Sequence, residues 1–131
     1  MRIYLDTSAL VKLVVAEDES QALLHFLGTH AADGLFSSAL ARTELIRAVA
    51  PNGDPAITDA RNLLNRLDTV MLTRQLLDDA GTMLPARLRS LDTIHLAAAQ
   101  RAGEALRAVI TYDSRMLSAA ADLGIPTANP R

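Results

Sequence analysis

The chain has 131 residues, a formal net charge of −2 and 50% hydrophobic residues, which fits a single folded domain over residues 1–131 and excludes a disordered chain. It contains no cysteine, so disulfides, thiolate zinc sites and a cysteine nucleophile are excluded. No apolar run approaches the length of about 18 residues that a membrane span needs. No signal peptide precedes the first predicted strand, so we expect a cytoplasmic protein without membrane contact.

The spacing of apolar residues predicts strands that alternate with helices. A strand over 2–6 is followed by a helix over 8–16, a second helix that ends near 28–30, and a strand over 34–37. Ser38 is predicted to cap a helix over 39–50, which the turn at 51–55 separates from a helix over 56–67. In the second half, the pattern predicts a strand over 69–72 and helices over 74–84 and 91–102. A strand over 107–111, a helix to Asp122 that Gly124 ends, and an edge strand over 125–127 follow. This alternation predicts a three-layer α/β/α domain with a short, mostly parallel sheet of four to five strands flanked by helices.

Two aspartates occupy equivalent places, after an apolar strand and before a helix. Asp6 follows Ile3-Tyr4-Leu5, and Asp113 follows the strand over 107–111. Asp is a favoured N-cap residue, so capping alone explains each of them about as well as a function does. If the two strands are neighbours, however, both acids lie on one edge of the sheet, in the crevice where parallel α/β folds bind ligands.

Two further acids lie among apolar residues on predicted helices. Asp92 falls in the first turn of a helix that is apolar almost all round, which is typical of a buried helix. A buried acid needs a partner or a metal, so a functional role is favoured for Asp92. Glu44 shares a helical ridge with Leu40 and Ala48. Its alternative interpretation is an ordinary, partly exposed acid paired with Arg47.

The four acids are more informative together than singly. Carboxylates within a few ångströms of one another repel and shift one another's pKa values, and divalent cations relieve that repulsion. Oxygen-only ligands favour Mg²⁺ or Mn²⁺. Such a site beside a phosphate can activate water for an in-line displacement. We therefore predict phosphodiester chemistry, with Asp6, Glu44, Asp92 and Asp113 as the catalytic and metal-binding residues.

Other polar residues near the acids have two interpretations each. The hydroxyls of Thr7, Ser8 and Thr111 are candidates to hydrogen-bond a carboxylate, a metal-bound water or a phosphate, and ordinary turn and cap hydroxyls are the alternative. His95, one turn after Asp92, is typical of a satisfied core histidine. Five arginines flank the acids and are either phosphate ligands or solvated surface residues: Arg42, Arg47, Arg87, Arg89 and Arg115. P-loop, dinucleotide-binding and nucleophile-elbow motifs are absent.

Four segments resemble the motifs of PIN-domain ribonucleases, and more narrowly those of VapC-type toxins from type II toxin–antitoxin pairs. They are Ile3–Leu10, Arg42–Ala48, Leu91–Ala97 and Val109–Leu117. The resemblance implies a PIN-like fold and a metal-dependent endoribonuclease with Asp6, Glu44, Asp92 and Asp113 as its acidic quartet. It also implies a homodimer or a larger toxin–antitoxin assembly, and neutralisation by a cognate VapB-type antitoxin. Ser114-Arg115-Met116 stand where some relatives carry a further acid or Asn, which leaves one or two metals open.

Two other classes of function stay open on the sequence. One is a catalytically inactive PIN-like binding module that acts through a protein partner, although such a module has no need of four clustered acids. The other is a phospho-acceptor or phosphatase-like domain that uses Asp6. The second is disfavoured, because residue 8 is Ser rather than a second Asp and Lys12 is the only lysine.

Overall fold

The computed structural model describes residues 1–131, which form five strands and seven α-helices. In chain order these are β1 (Arg2–Leu5), α1 (Thr7–Val14), α2 (Ser20–Thr29), β2 (Gly34–Ser38), α3 (Leu40–Val49), α4 (Asp54–Arg66), β3 (Asp68–Val70), α5 (Arg74–Gly81), α6 (Ser90–Gln100), β4 (Leu106–Ile110), α7 (Ser114–Asp122) and β5 (Thr127–Ala128). Single 3₁₀ turns lie at Ala50–Asn52 and Gly103–Ala105. None of the helices is long and apolar enough to cross a bilayer.

The strands form one all-parallel sheet in the order β3-β2-β1-β4-β5. The central strand β1 pairs with β2 on one side and with β4 on the other, where Leu5 lies opposite Ile110. The chain builds outwards from β1 in one direction through β2 and β3, then returns to its other side for β4. The carboxyl ends of β1 and β4 therefore flank the point where the strand order reverses, which is where open α/β sheets bind ligands.

Alternating side chains of the sheet supply two hydrophobic cores. Ile3 and Leu5 of β1 pack with α1 to α4, whereas Tyr4 between them packs on the other face with α5 to α7. Both faces of the sheet are covered by helices, and the buried residues Ile3–Leu5 of β1 and Ala108–Ile110 of β4 are accordingly apolar. The three-layer α/β/α fold predicted from the sequence is confirmed, with all five strands parallel.

Three local predictions were wrong, and one of them is the edge strand predicted over 125–127, which lies at Thr127–Ala128. Ser38 does not cap α3, because it continues β2 as the partner of Val70, and the helix begins at Leu40 without a side-chain cap. Helix α5 ends at Gly81 rather than near residue 84, since glycine is a poor helix residue and the chain turns there. The prediction that Gly124 ends α7 is confirmed: Gly124 has a φ of 71°, a conformation that suits glycine.

Candidate active site

Asp6 lies at the carboxyl end of β1 and is almost fully buried, with a relative exposure of 3%. Its Oδ1 accepts hydrogen bonds from the Ser8 hydroxyl at 2.7 Å and from the Ala9 amide at 3.0 Å, so it caps α1. Its Oδ2 accepts from the Thr111 hydroxyl at 2.5 Å. Burial raises the pKa of Asp6, because these hydrogen bonds only partly replace the lost hydration.

Thr111 joins Asp6 to Asp113 across the two central strands. The fully buried Thr111 hydroxyl donates to Asp6 and accepts from the Asp113 amide at 3.1 Å. Ser8 makes a parallel link, since its hydroxyl donates to Asp6 and accepts from the Tyr112 amide at 2.9 Å. Asp113 also caps α7, where its carboxylate accepts from the amides of Arg115 and Met116. Capping and placement at the sheet edge are thus compatible roles for both aspartates.

Asp92, in the first turn of α6, lies within electrostatic range of the other two aspartates. Burial and the nearby charge of Asp113 raise the pKa of Asp92, and Asp6 adds to the rise, while His95 and Arg89 oppose it. Asp92 therefore senses the charges of Asp6 and Asp113, although the three residues come from separate segments of the chain. Like charges this near to one another disfavour ionisation of Asp92.

Glu44 takes part in a different set of contacts. Its Oε1 accepts from the Thr7 hydroxyl at 2.7 Å and contacts His95 Nε2 at 2.6 Å. The other ring nitrogen, Nδ1, lies 2.6 Å from the Tyr4 hydroxyl. Burial would raise the pKa of Glu44, but the hydrogen bonds from His95 and Thr7 outweigh it and hold the pKa below its usual value. Glu44 is thus an ionised acceptor tied to α1 and α6, rather than an acid paired with Arg47.

The donor chemistry of the site fits a hard divalent cation. Asp6, Asp92 and Asp113 offer only oxygen ligands, and their repulsion is what such an ion relieves. As they stand, however, no three Asp, Glu or His side chains are grouped closely enough to hold an ion. Ion binding would therefore require acidic side chains to turn towards one another.

The arginines near the acids divide into two groups. Arg87, Arg89 and Arg115 line one cavity of about 420 Å³ together with Asp92. Arg42 instead contacts Asn65 at 3.4 Å, on the surface between α3 and α4, and Arg47 is exposed on α3. The sequence marked all five equally, because only the fold shows which of them lie beside Asp92.

The chain is similar to known proteins over nearly its whole length. A family model of the PIN domain matches residues 3–122. Ribonuclease VapC46 of Mycobacterium tuberculosis (strain ATCC 25618 / H37Rv) is 48% identical over 128 residues, which cover 98% of this chain and 97% of the relative. Ribonuclease VapC47 of Mycobacterium tuberculosis (strain CDC 1551 / Oshkosh) is 46% identical over 131 residues, covering 98% and 96% of the two chains.

A solved structure supports the fold. The crystal structure of Mycobacterium tuberculosis VapC20, described as a sarcin-ricin loop cleaving toxin, matches with a TM-score of 0.78 over 98% of this chain and 99% of that one. At 15% identity this match supports the fold alone. The parallel sheet with acids at its carboxyl edge defines the class of the protein as an α/β domain of PIN architecture. The chain belongs to the PIN-domain family, and its relatives place it among the VapC proteins of that family.

Proposed function

We propose that the protein is a divalent-metal-dependent endoribonuclease, the toxin of a VapC-type toxin–antitoxin pair. Two relatives at 46% and 48% identity are named ribonucleases, which supports RNA as the substrate. The observation that carries the proposal is the placement of Asp6 and Asp113 at the carboxyl ends of the neighbouring strands β1 and β4, with Asp92 near enough that their charges, added to burial, raise its pKa. Like-charged carboxylates raise one another's pKa values, and a divalent cation placed between them would relieve that repulsion.

The acids would divide into two roles. Asp6, Asp92 and Asp113, with Glu44 beside them, would hold Mg²⁺ or Mn²⁺, and the ion would neutralise charge on the phosphate and acidify the attacking water. Glu44 is suited to orient that water and accept its proton, because it is ionised and its Oε1 is anchored by Thr7 and His95. Thr7, Ser8 and Thr111 would keep the carboxylates in place through the hydrogen bonds described above.

The proposed partners follow from the family. A VapB-type antitoxin would bind and neutralise the enzyme, and the enzyme would form a homodimer or a larger complex with it. A short reading frame beside the gene for this chain, encoding a DNA-binding protein, is the expected source of the antitoxin. Co-expression of the two and measurement of the complex mass would test the assembly.

The direct test of the acidic site is Asp6→Asn. Asn is also a favoured N-cap, so we expect the variant to stay folded. It should lose RNA cleavage by at least about a hundredfold, since single electrostatic groups at active sites contribute on that scale. Asp122→Asn, at an exposed position near the end of α7, is the matched control and should cleave like wild type. Full cleavage by Asp6→Asn would overturn the proposal.

A further inference from the structure

Three arginines converge on the cavity beside Asp92. Arg87 and Arg89 come from the segment between α5 and α6, and Arg115 comes from the first turn of α7. All three are exposed. The ion pairs that arginines form in this protein lie elsewhere, at Arg2, Arg101, Arg107 and Arg131. The cavity therefore concentrates three free positive charges on a chain whose net charge is −2.

We infer that this cavity, lined by Arg87, Arg89 and Arg115, binds backbone phosphates of the RNA strand next to the bond that is cut. Guanidinium groups bind phosphate oxygens through paired hydrogen bonds, and Ser114 and Ser118 add hydroxyl donors to the lining. Asp92 is part of the lining, so a strand held here passes directly beside this acid. The inference rests on the proposed ribonuclease function and names the part of the protein that holds the substrate.

The lining also indicates that the cavity does not recognise bases. It contains no aromatic side chain on which a base could stack. Contacts to phosphates position a strand but carry no sequence information. The arginines should therefore contribute to affinity for any RNA sequence, and sequence preference should arise elsewhere.

Binding can be measured apart from cleavage. Asp6→Asn serves as the background, and anisotropy of a short fluorescein-labelled oligouridylate is followed over a range of salt concentrations. Adding Arg87→Gln, Arg89→Gln and Arg115→Gln should weaken binding at least tenfold. It should also lower the slope of log affinity against log salt by about 2, because each lost phosphate contact on a single strand removes about 0.7.

A matched triple variant controls for net charge. Arg61→Gln, Arg66→Gln and Arg74→Gln remove three exposed arginines from α4 and the start of α5 and should change affinity less than twofold. Equal losses in the two triple variants would overturn the inference. It would also be overturned if the cavity variant bound RNA normally but no longer co-purified with its antitoxin, which would make the cavity a protein interface. If wild type neither binds nor cleaves RNA, the proposed function itself fails.

A second inference comes from the contacts of His95. Its ring is buried between β1 and α6 and meets the Tyr4 ring edge-on, with the centroids 5.8 Å apart. A carboxylate oxygen can only accept, so His95 Nε2 carries the hydrogen in the contact with Glu44. Burial raises the pKa of the Tyr4 hydroxyl, which keeps its proton and can give it to Nδ1. Tyr4, His95 and Glu44 thus form a directional chain.

We propose that His95 is a positioning residue for Glu44. Its hydrogen bond and that of Thr7 both end on Oε1, so Oε2 is left free to act on water or an ion. Without His95, Glu44 would lose the link that crosses from α3 to α6 over the sheet edge.

Two substitutions separate positioning from packing. In His95→Gln the side-chain amide nitrogen replaces Nε2 and can still donate to Glu44, whereas in His95→Asn it replaces Nδ1 and reaches only towards Tyr4. We expect both variants to lose similar thermal stability, but His95→Gln should keep at least tenfold more kcat than His95→Asn, with little difference in KM. Equal kcat values in the two variants would overturn the proposal.

A spectroscopic measurement on metal-free protein is independent of cleavage. Proton NMR of wild type should show a downfield, slowly exchanging Nε2–H resonance from His95, because this proton is buried in a short hydrogen bond. Tyr4→Phe should weaken the resonance, since the ring loses the partner that fixes its tautomer. A resonance unchanged in Tyr4→Phe, or absent from wild type, would contradict the directional chain.

Discussion

Individual hydroxyl groups hold the acidic site together. Thr111 is fully buried, and its hydroxyl donates to Asp6 and accepts from the Asp113 amide. Ser8 plays the same part between Asp6 and the Tyr112 amide. Each hydroxyl therefore couples β1 to the segment that follows β4, so the loss of one should affect both stability and the placement of the acids.

Thr111→Val tests this coupling at nearly constant volume. It leaves the Asp113 amide without an acceptor and removes a donor from a buried carboxylate, so the free energy of unfolding should fall by about 1–3 kcal/mol. Urea denaturation in the absence of divalent cations measures the change. Thr111→Ser keeps the hydroxyl and should lose clearly less. A loss in Thr111→Val no larger than that in Thr111→Ser would contradict a coupling through the hydroxyl.

At the residue scale, the sequence indicated the position of each acid but not its contacts. Asp6 and Asp113 were recognisable because each follows an apolar strand, and the pairing of β1 with β4 puts them on one edge. The partner of Glu44 was not predictable, because its contact with His95 depends on how α3 and α6 meet across the sheet. His95 was predicted to be a core residue with its hydrogen bonds satisfied, which is confirmed. That prediction did not identify Glu44 as its partner.

Among the elements, α6 has the longest run of buried alanines. It covers the sheet with small residues, and Ala97, Ala98 and Ala99 are all buried. This close approach brings Asp92 and His95, at the start of the helix, to the carboxyl edge of β1. The apolar pattern of the sequence predicted the burial of α6, since polar residues are scarce on every side of it.

Ala98→Leu should push α6 away from the sheet. Overpacking of a filled core typically costs about 1–3 kcal/mol, so we expect a lower free energy of unfolding together with weaker cleavage as Asp92 and His95 move. Thermal unfolding and a cleavage assay measure the two effects. Gln100→Leu adds a similar side chain at an exposed position of the same helix and should change neither. Unaltered stability of Ala98→Leu would show that α6 packs more loosely than described.

Element boundaries were predicted less well than element types. The helix before Pro85 and the cap of α3 were misplaced because Gly81 and the pairing of Ser38 with Val70 decide those ends. Neither feature follows from local periodicity. The first depends on a weak propensity at one residue, and the second on a strand pairing between distant segments.

Over the whole molecule, the opposite edge of the sheet is held by an ion pair that is remote from the acids. Asp33, just before β2, contacts Arg107 of β4 through two bonds, one of them from Arg107 Nη2 at 3.4 Å. The Arg107 guanidinium lowers the pKa of Asp33 below its usual value. This pair bridges the two strands that flank β1, so it should stabilise the fold without affecting the chemistry of the site.

The pH dependence of that contribution has a definite sign. A carboxyl whose pKa is lower in the folded than in the unfolded state stabilises the fold above its unfolded pKa, and the stabilisation is lost as the pH falls through its folded pKa. Asp33→Asn should therefore lower Tm at neutral pH, and the difference should shrink below a pH of about 4. Asp18→Asn, an exposed acid, is the control. A constant difference in Tm over that pH range would contradict the ion-pair explanation.

The central claim is that the four acids work through a divalent cation. The most direct measurement is the rate at which protein stripped with EDTA cleaves an end-labelled RNA as Mn²⁺ or Mg²⁺ is added back. We expect no cleavage without the ion, a saturable rise in rate with it, and no rise at any concentration for Asp6→Asn. Full cleavage by the stripped wild-type protein in the presence of EDTA would contradict the claim.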